Sequence, residues 1–192
     1  MEKYKYIKNK KELKEFLDFE SKKYGIKRAR CPIIAIKERD ILWKHNYLLR
    51  KTEYYTNCNK KLLKKFFRLR LKLFQNKYCL NIPINVFDKG LRLVHIGPRL
   101  VNGQAKVGKN CVMHINTCIV AGGTDKGGLP VIGDDVVLGV SSIIVGNVII
   151  GNNTAVGANA VVTKSFEEGN MTIAGVPAKK ISDNSKINWN KS

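Results

Sequence analysis

From Ile132 onward, aliphatic side chains recur every six residues: Ile132, Leu138, Ile144, Ile150, Val156 and Val162. Gly133, Gly139, Gly151 and Gly157 directly follow four of them. Four positions after each aliphatic stand Val136, Ser142, Val148, Thr154, Ala160 and Phe166, mostly small or β-branched side chains that fit a narrow interior. An α-helix repeats every 3.6 residues and a strand alternates every two, so neither produces aliphatic–glycine pairs locked to sixes. A period of six fits a triangular coil with ~18 residues per turn, the aliphatics pointing inward and the glycines relieving the corners.

The same frame continues upstream through Val101, Val107, Met113 and Ile119, with Ala105, Cys111 and Thr117 four positions after the first three. Ile119 and Ile132 are 13 residues apart rather than 12, which reads as a one-residue slip. The glycines and charges of residues 121–128 mark a loop leaving the coil there, and loops on a rigid scaffold commonly carry function.

Charge divides the chain. Residues 1–80 hold 24 Lys and Arg against 8 Asp and Glu, a net +16 of the whole chain's +20. No apolar run approaches the ~20 residues of a membrane span, and the N-terminal residues lack a signal-peptide core, which points to the cytoplasm. The five cysteines are odd in number and form no C-x-x-C, so reduced thiols are expected, with neither a disulfide framework nor a metal site. The basic charge permits nucleic acid, but no helix-turn-helix, RNA-binding or zinc-finger pattern accompanies it, and that partner is excluded.

Residues 1–80 read as helices, since residues 10–17 and 41–49 space their apolar side chains by three and four, with Pro32 between them. The strongest such pattern is 60–75, where Leu62, Phe66, Leu69 and Leu73 line one face, Leu63, Phe67 and Phe74 flank it, and Lys and Arg fill most of the rest. Two readings stay open for this helix. Its apolar face packs on its own domain, or it makes peripheral contact with an anionic surface, either the inner face of the membrane or an acidic glycan. The expected organisation is a basic helical domain at 1–80, a coiled domain at 81–182 and a mobile polar tail at 183–192.

The run Gly90-Leu91-Arg92-Leu93-x-His95, then Ala105-Lys106-Val107-Gly108, His114 ahead of Ala121-Gly122-Gly123-Thr124, the hexads, and the closing Ile173-Ala174-Gly175-Val176-Pro177-Ala178-Lys179 resemble the serine acetyltransferase branch of the hexapeptide acyltransferases. The segment from Leu48 to Cys58 is similar to members associated with surface-polysaccharide synthesis. The resemblance implies an α+β chain, a helical domain followed by a left-handed parallel β-helix, assembled as a homotrimer. It implies acetyl-CoA as co-substrate, acetyl transfer to a hydroxyl, and His114 as the general base. His95 stands 19 residues earlier, about one coil away, and is expected beside it. The resemblance further implies that Gly139, Ser141, Ala158, Thr163, Lys164 and Lys179 bind the pantetheine and phosphates of the co-substrate.

Two departures bear on the acceptor. Met113 stands where the family usually has an aspartate before the histidine, and Gly128-Leu129 replaces a usual Arg-His pair before Pro130. A small zwitterion needs charged groups to grip it, so their absence favours a sugar acceptor, in a surface polysaccharide or its precursor, over serine itself. Asp88, Arg92, Arg99 and Asp125 are the candidates to bind it. Serine O-acetylation remains the alternative, and a non-catalytic binding scaffold is the third reading.

Overall fold

The computed structural model describes residues 6–123 and 127–184. Three helices precede the coil: α1 (Lys10–Lys23), α2 (Glu38–Asn57) and α3 (Lys61–Tyr78). Asn9 caps α1 by accepting from the Glu12 amide at 2.9 Å. Pro32 lies in the linker before α2, and α2 packs between α1 and α3.

The remainder is a left-handed parallel β-helix with three faces. The first stacks Leu80–Asn81, Arg99–Val101, Thr117–Val120, Ile143–Val145 and Val161–Val162. The second stacks Lys106–Val107, Val131–Ile132 and Ile149–Ile150. The third stacks Arg92–Leu93, Val112–Met113, Val137–Leu138, Ala155–Val156 and Thr172–Ala174, and Lys179–Ser182 closes it antiparallel. Every aliphatic of the six-residue frame from Val101 to Val162 is buried, as are the small side chains four positions on, while Phe166 is half-buried at the open end.

The coil corrects two expectations. First, Ile143 pairs with Val161, 18 residues on, but Cys118 pairs with Ile143, 25 residues on. The interruption is therefore an insertion of seven residues between the first and second faces, not a slip of one. Ile119 and Ile132 lie on consecutive faces, six residues apart plus the insertion. Second, the glycines after the aliphatics do not turn the corners. Asn110, Asn116, Asp135, Ser141, Asn153 and Asn159 do, all with left-handed φ near 60°. Asn and Asp tolerate that region because their short polar side chains bond locally. Gly139 answers a different demand: a Cβ there would lie 2.6 Å from the Val156 carbonyl oxygen and 2.8 Å from the Ala158 amide of the next coil. These glycines let successive coils stack.

One continuous core joins helices and coil. At the junction Arg50, fully buried, donates to Glu20 at 2.7 Å, to Glu53 at 2.9 Å, and to the carbonyls of Phe87 and Asp88 at 2.9 Å each. Glu20 in turn accepts from the Gly90 amide at 3.0 Å, and Glu53 from the Asn85 amide at 2.8 Å. The network reaches from α1 through α2 to the chain entering the coil. His45 is sealed nearby between Asn46 and Gln75, and burial lowers its pKa to about 4, so it stays neutral.

Helix α3 turns a different side inward from the one its pattern suggests. It packs through Phe67, Leu71, Phe74, Gln75 and Tyr78, with Phe67 stacked on Tyr55 at 4.9 Å. The stripe of Leu62, Phe66, Leu69 and Leu73 faces solvent.

Candidate active site

The corner between the third and first faces forms a column. The amide of Val94 bonds the Met113 carbonyl at 3.0 Å, that of His114 bonds Leu138 at 3.1 Å, and that of Gly139 bonds Val156 at 2.8 Å. Val94, His114 and Gly139 are thus stacked in successive coils, and His95 is one residue past His114's neighbour. In the first coil this corner is enlarged. Leu93 pairs with Met113 and Arg99 with Thr117, so two more residues fit between strands there than in the coil above.

The enlarged corner projects His95. Its φ is 63°, and 62% of its side-chain surface is exposed. Its Nδ1 lies 3.3 Å from Glu38 Oε2, and the Ile96 amide donates to Glu38 Oε1 at 2.9 Å. Glu38 opens α2, so a carboxylate from the helical half holds both the ring and the backbone of a corner in the coil. With Nδ1 directed at a carboxylate, Nε2 is the nitrogen left for proton transfer.

His114 is half-buried. Burial lowers its pKa, and the positive charges of His95, Arg99 and Arg92 lower it further, so it is held neutral.

An open cavity of about 300 Å³ adjoins His95, lined by Lys23, Tyr24, Glu38, Arg39 and Arg92 among others. Tyr24 lines it with its hydroxyl oxygen held by the backbone: the Leu93 amide donates to that oxygen at 2.8 Å. Of the acceptor candidates, Arg92 faces this cavity. Arg99 does not. It is 2% exposed, and its guanidinium donates to the carbonyls of Val94, His95, Gly97 and Met113 at 2.6 to 3.2 Å, which holds the enlarged corner together. Burial pushes its pKa down to about 10. Asp88 is also buried, its carboxylate accepting from the Lys89 amide at 2.6 Å. Neither buried side chain is placed to meet an acceptor. Asp125 lies outside the described residues.

The co-substrate candidates fall at separate places. Gly139, Ser141 and Ala158 lie on the same corner as the histidines, with Ala158 exposed one coil above Gly139. Thr163 and Lys164 are exposed after the last strand of the first face, on the edge that also carries the inserted loop. Lys179 is exposed at the start of the closing strand. Among the described residues no cluster of His, Cys, Asp and Glu fits a metal ion.

Residues 130–164 match the family model of the bacterial transferase hexapeptide, six repeats. No curated protein matches the chain in sequence. Among solved structures, serine acetyltransferase from Brucella abortus strain S19 in complex with coenzyme A is similar at TM-score 0.66 and 22% identity, over 92% of this chain and 70% of that one. Serine acetyltransferase from Neisseria gonorrhoeae is similar at TM-score 0.57 and 21% identity, over 95% and 70%. Its complex with serine gives TM-score 0.54 and 21% identity, over 88% and 69%. At such identities the likeness carries the fold.

Glu38, Lys23, Tyr24 and Arg39 escape the sequence reading. They lie on or beside helices 53 to 72 residues before the coil positions Arg92 and His95, and no repeat links the two stretches. The one local signal was Glu38-Arg39-Asp40 at a helix start, where acidic residues are ordinary.

Proposed function

We propose that this chain is an acetyl-CoA-dependent O-acetyltransferase acting on a hydroxyl of an acidic sugar, in a surface polysaccharide or its precursor. The observation that carries the reading is His95, projected on an enlarged corner, oriented by Glu38, and opening onto a cavity lined by Lys23, Arg39 and Arg92. Acetyl-CoA supplies the activated acyl group. An alcohol is a poor nucleophile at neutral pH, so a base must take its proton as the oxygen attacks the thioester carbonyl. The geometry favours His95 over His114 for this step, because His95 is the exposed imidazole and has a carboxylate to fix its ring and stabilise the imidazolium. The proton then passes to the departing thiol sulfur. His114, kept neutral beside it, limits the positive charge at the corner.

Lys23, Arg39 and Arg92 in the cavity wall, Arg39 also paired with Asp40 at 3.1 Å, against Glu38 as the lining carboxylate favour an acceptor with a carboxylate or phosphate near its hydroxyl. Serine is the second reading, favoured by the shared fold with enzymes named for it. Against it, the ammonium of serine would find Glu38 as the one carboxylate in the cavity wall, already engaged by His95 and Ile96. Gly139, Ser141 and Ala158 at one corner, with Thr163, Lys164 and Lys179 elsewhere, suit a co-substrate bound between two subunits of a homotrimer. All five cysteines are free, which suits the cytoplasm.

The test is thiol release from acetyl-CoA with L-serine, neutral sugars, uronic acids and nucleotide sugars. We expect turnover on acidic acceptors, a loss of about 10²- to 10⁴-fold in kcat for His95→Ala, and a smaller loss for Glu38→Gln. Turnover on serine alone restores the second reading, an undiminished His95→Ala removes this residue as base, and no acetyl transfer on any acceptor leaves the scaffold reading.

A further inference from the structure

Helix α3 is amphipathic twice over. One side, through Phe67, Leu71, Phe74 and Tyr78, packs inward, yet Leu62, Phe66, Leu69 and Leu73 form a second apolar stripe that faces solvent, Leu62 at 83% and Leu69 at 60% exposure. At 100° per residue, exposed Lys61, Lys65 and Lys72 border this stripe on one side, and exposed Arg70 and Lys77 on the other. The helix contains no acidic residue.

A second apolar element is held on α2, the helix against which α3 packs. The linker from Cys31 to Ile36 exposes Ile33, Ile34 and Ile36, with Ile33 at 94%. Lys44 pins this linker by donating to the Ile33 carbonyl at 3.1 Å, and the Cys31 thiol lies within electrostatic reach of Arg70 on α3 as well as of Lys44 and Lys51. Seven large aliphatic or aromatic side chains from two elements thus stand out among cations, where an exposed apolar patch normally marks a contact surface.

We propose that this face docks on an anionic lipid bilayer, the apolar stripe of α3 and the isoleucines of the linker entering the headgroup boundary while the flanking Lys and Arg meet lipid phosphates and carboxylates. Charge decides between occupants. A second copy of the chain would set the cationic borders of α3 against their own kind with no acidic residue in the helix to pair them. An anionic bilayer supplies the apolar layer and the countercharge at once. Among the described residues no helix is long and apolar enough to cross a membrane, so the contact is peripheral.

The full chain is mixed with vesicles of phosphatidylcholine alone or with added phosphatidylserine and floated on a gradient. We expect binding to the anionic vesicles at least about tenfold stronger than to the neutral ones, weakened by salt. Phe66→Ser with Leu69→Ser, and separately Lys65→Gln with Lys72→Gln, should each reduce it about tenfold with the melting temperature unchanged, since all four side chains are exposed. Wild-type protein that stays off anionic vesicles overturns the proposal, as does binding that survives both double variants. A fall in assembly mass in the Phe66→Ser, Leu69→Ser variant overturns it in favour of a second copy.

Discussion

The coil and the helices bury side chains by different rules. In the coil each residue's fate follows from its place in the hexad: Ile144 is inside, Ser142 is inside, and Val140, two positions before Ser142, is out. In α3 the same kind of side chain is buried or exposed according to which face meets α2, so Leu71 is inside while Leu69 and Leu73 are out. A coil closes on itself and has one interior, whereas a helix takes its interior from its neighbours. The candidate site stands where the two meet, a coil histidine steered by a helix carboxylate.

The strongest way to break this comparison is to cut the junction. Arg50→Ala leaves Glu20 and Glu53 buried without their partner and should lower stability by about 3–5 kcal/mol. Because the core is continuous, chemical denaturation should still show one transition, with the helical and coil signals moving together. A variant whose helices alone unfold early would show the halves to be separate units. Next in size, Ile144→Ala removes a fully buried side chain and should cost about 2–5 kcal/mol, while Leu69→Ala should change stability by less than about 0.5 kcal/mol. Equal losses at the two positions, measured by the same denaturation, would mean that the α3 stripe is covered.

What the residues disclose follows the same division. The frame from Val101 to Val162 yields the coil and its core because the period is local and each coil repeats the constraint of the one before. The corners are less legible. Glycine after an aliphatic suggests a turn, yet the turns fall on Asn110, Asn116 and Asn159, and the glycines serve the stacking of coils that lie ~18 residues apart in sequence. In α3 the spacing of Leu62, Phe66, Leu69 and Leu73 correctly marks a face but cannot say which face is inward, since Phe67, Leu71 and Phe74 have the same spacing. At the site, His95 and His114 stand out by motif and end up at one corner, and Arg92, on the strand before it, faces the same cavity as His95. Arg99 draws attention as a charge near a turn but holds that corner from inside, a role set by carbonyls that only the folded corner brings together. The contact of Glu38 with His95, 57 residues apart, has no local signature.

The smallest effect separates the two coil histidines. His114 is lowered first by burial and then by the positive charges of His95, Arg99 and Arg92. Arg92 is exposed, so removing its charge should leave the fold intact and relieve part of that repulsion. In Arg92→Gln the His114 imidazole should therefore hold its proton to higher pH, read by NMR titration of the ring. The sign also fixes the effect on stability. A histidine with a lowered folded-state pKa stabilises fully above the unfolded value of about 6.5, and that contribution is lost as pH falls below it. Arg92→Gln should thus soften the acid sensitivity of the coil slightly, and high salt, which screens an exposed guanidinium, should narrow the difference between variant and wild type. An unchanged His114 titration would leave burial as the whole cause, and the corner would then read as a packing site for His114 and an electrostatic one for His95 alone.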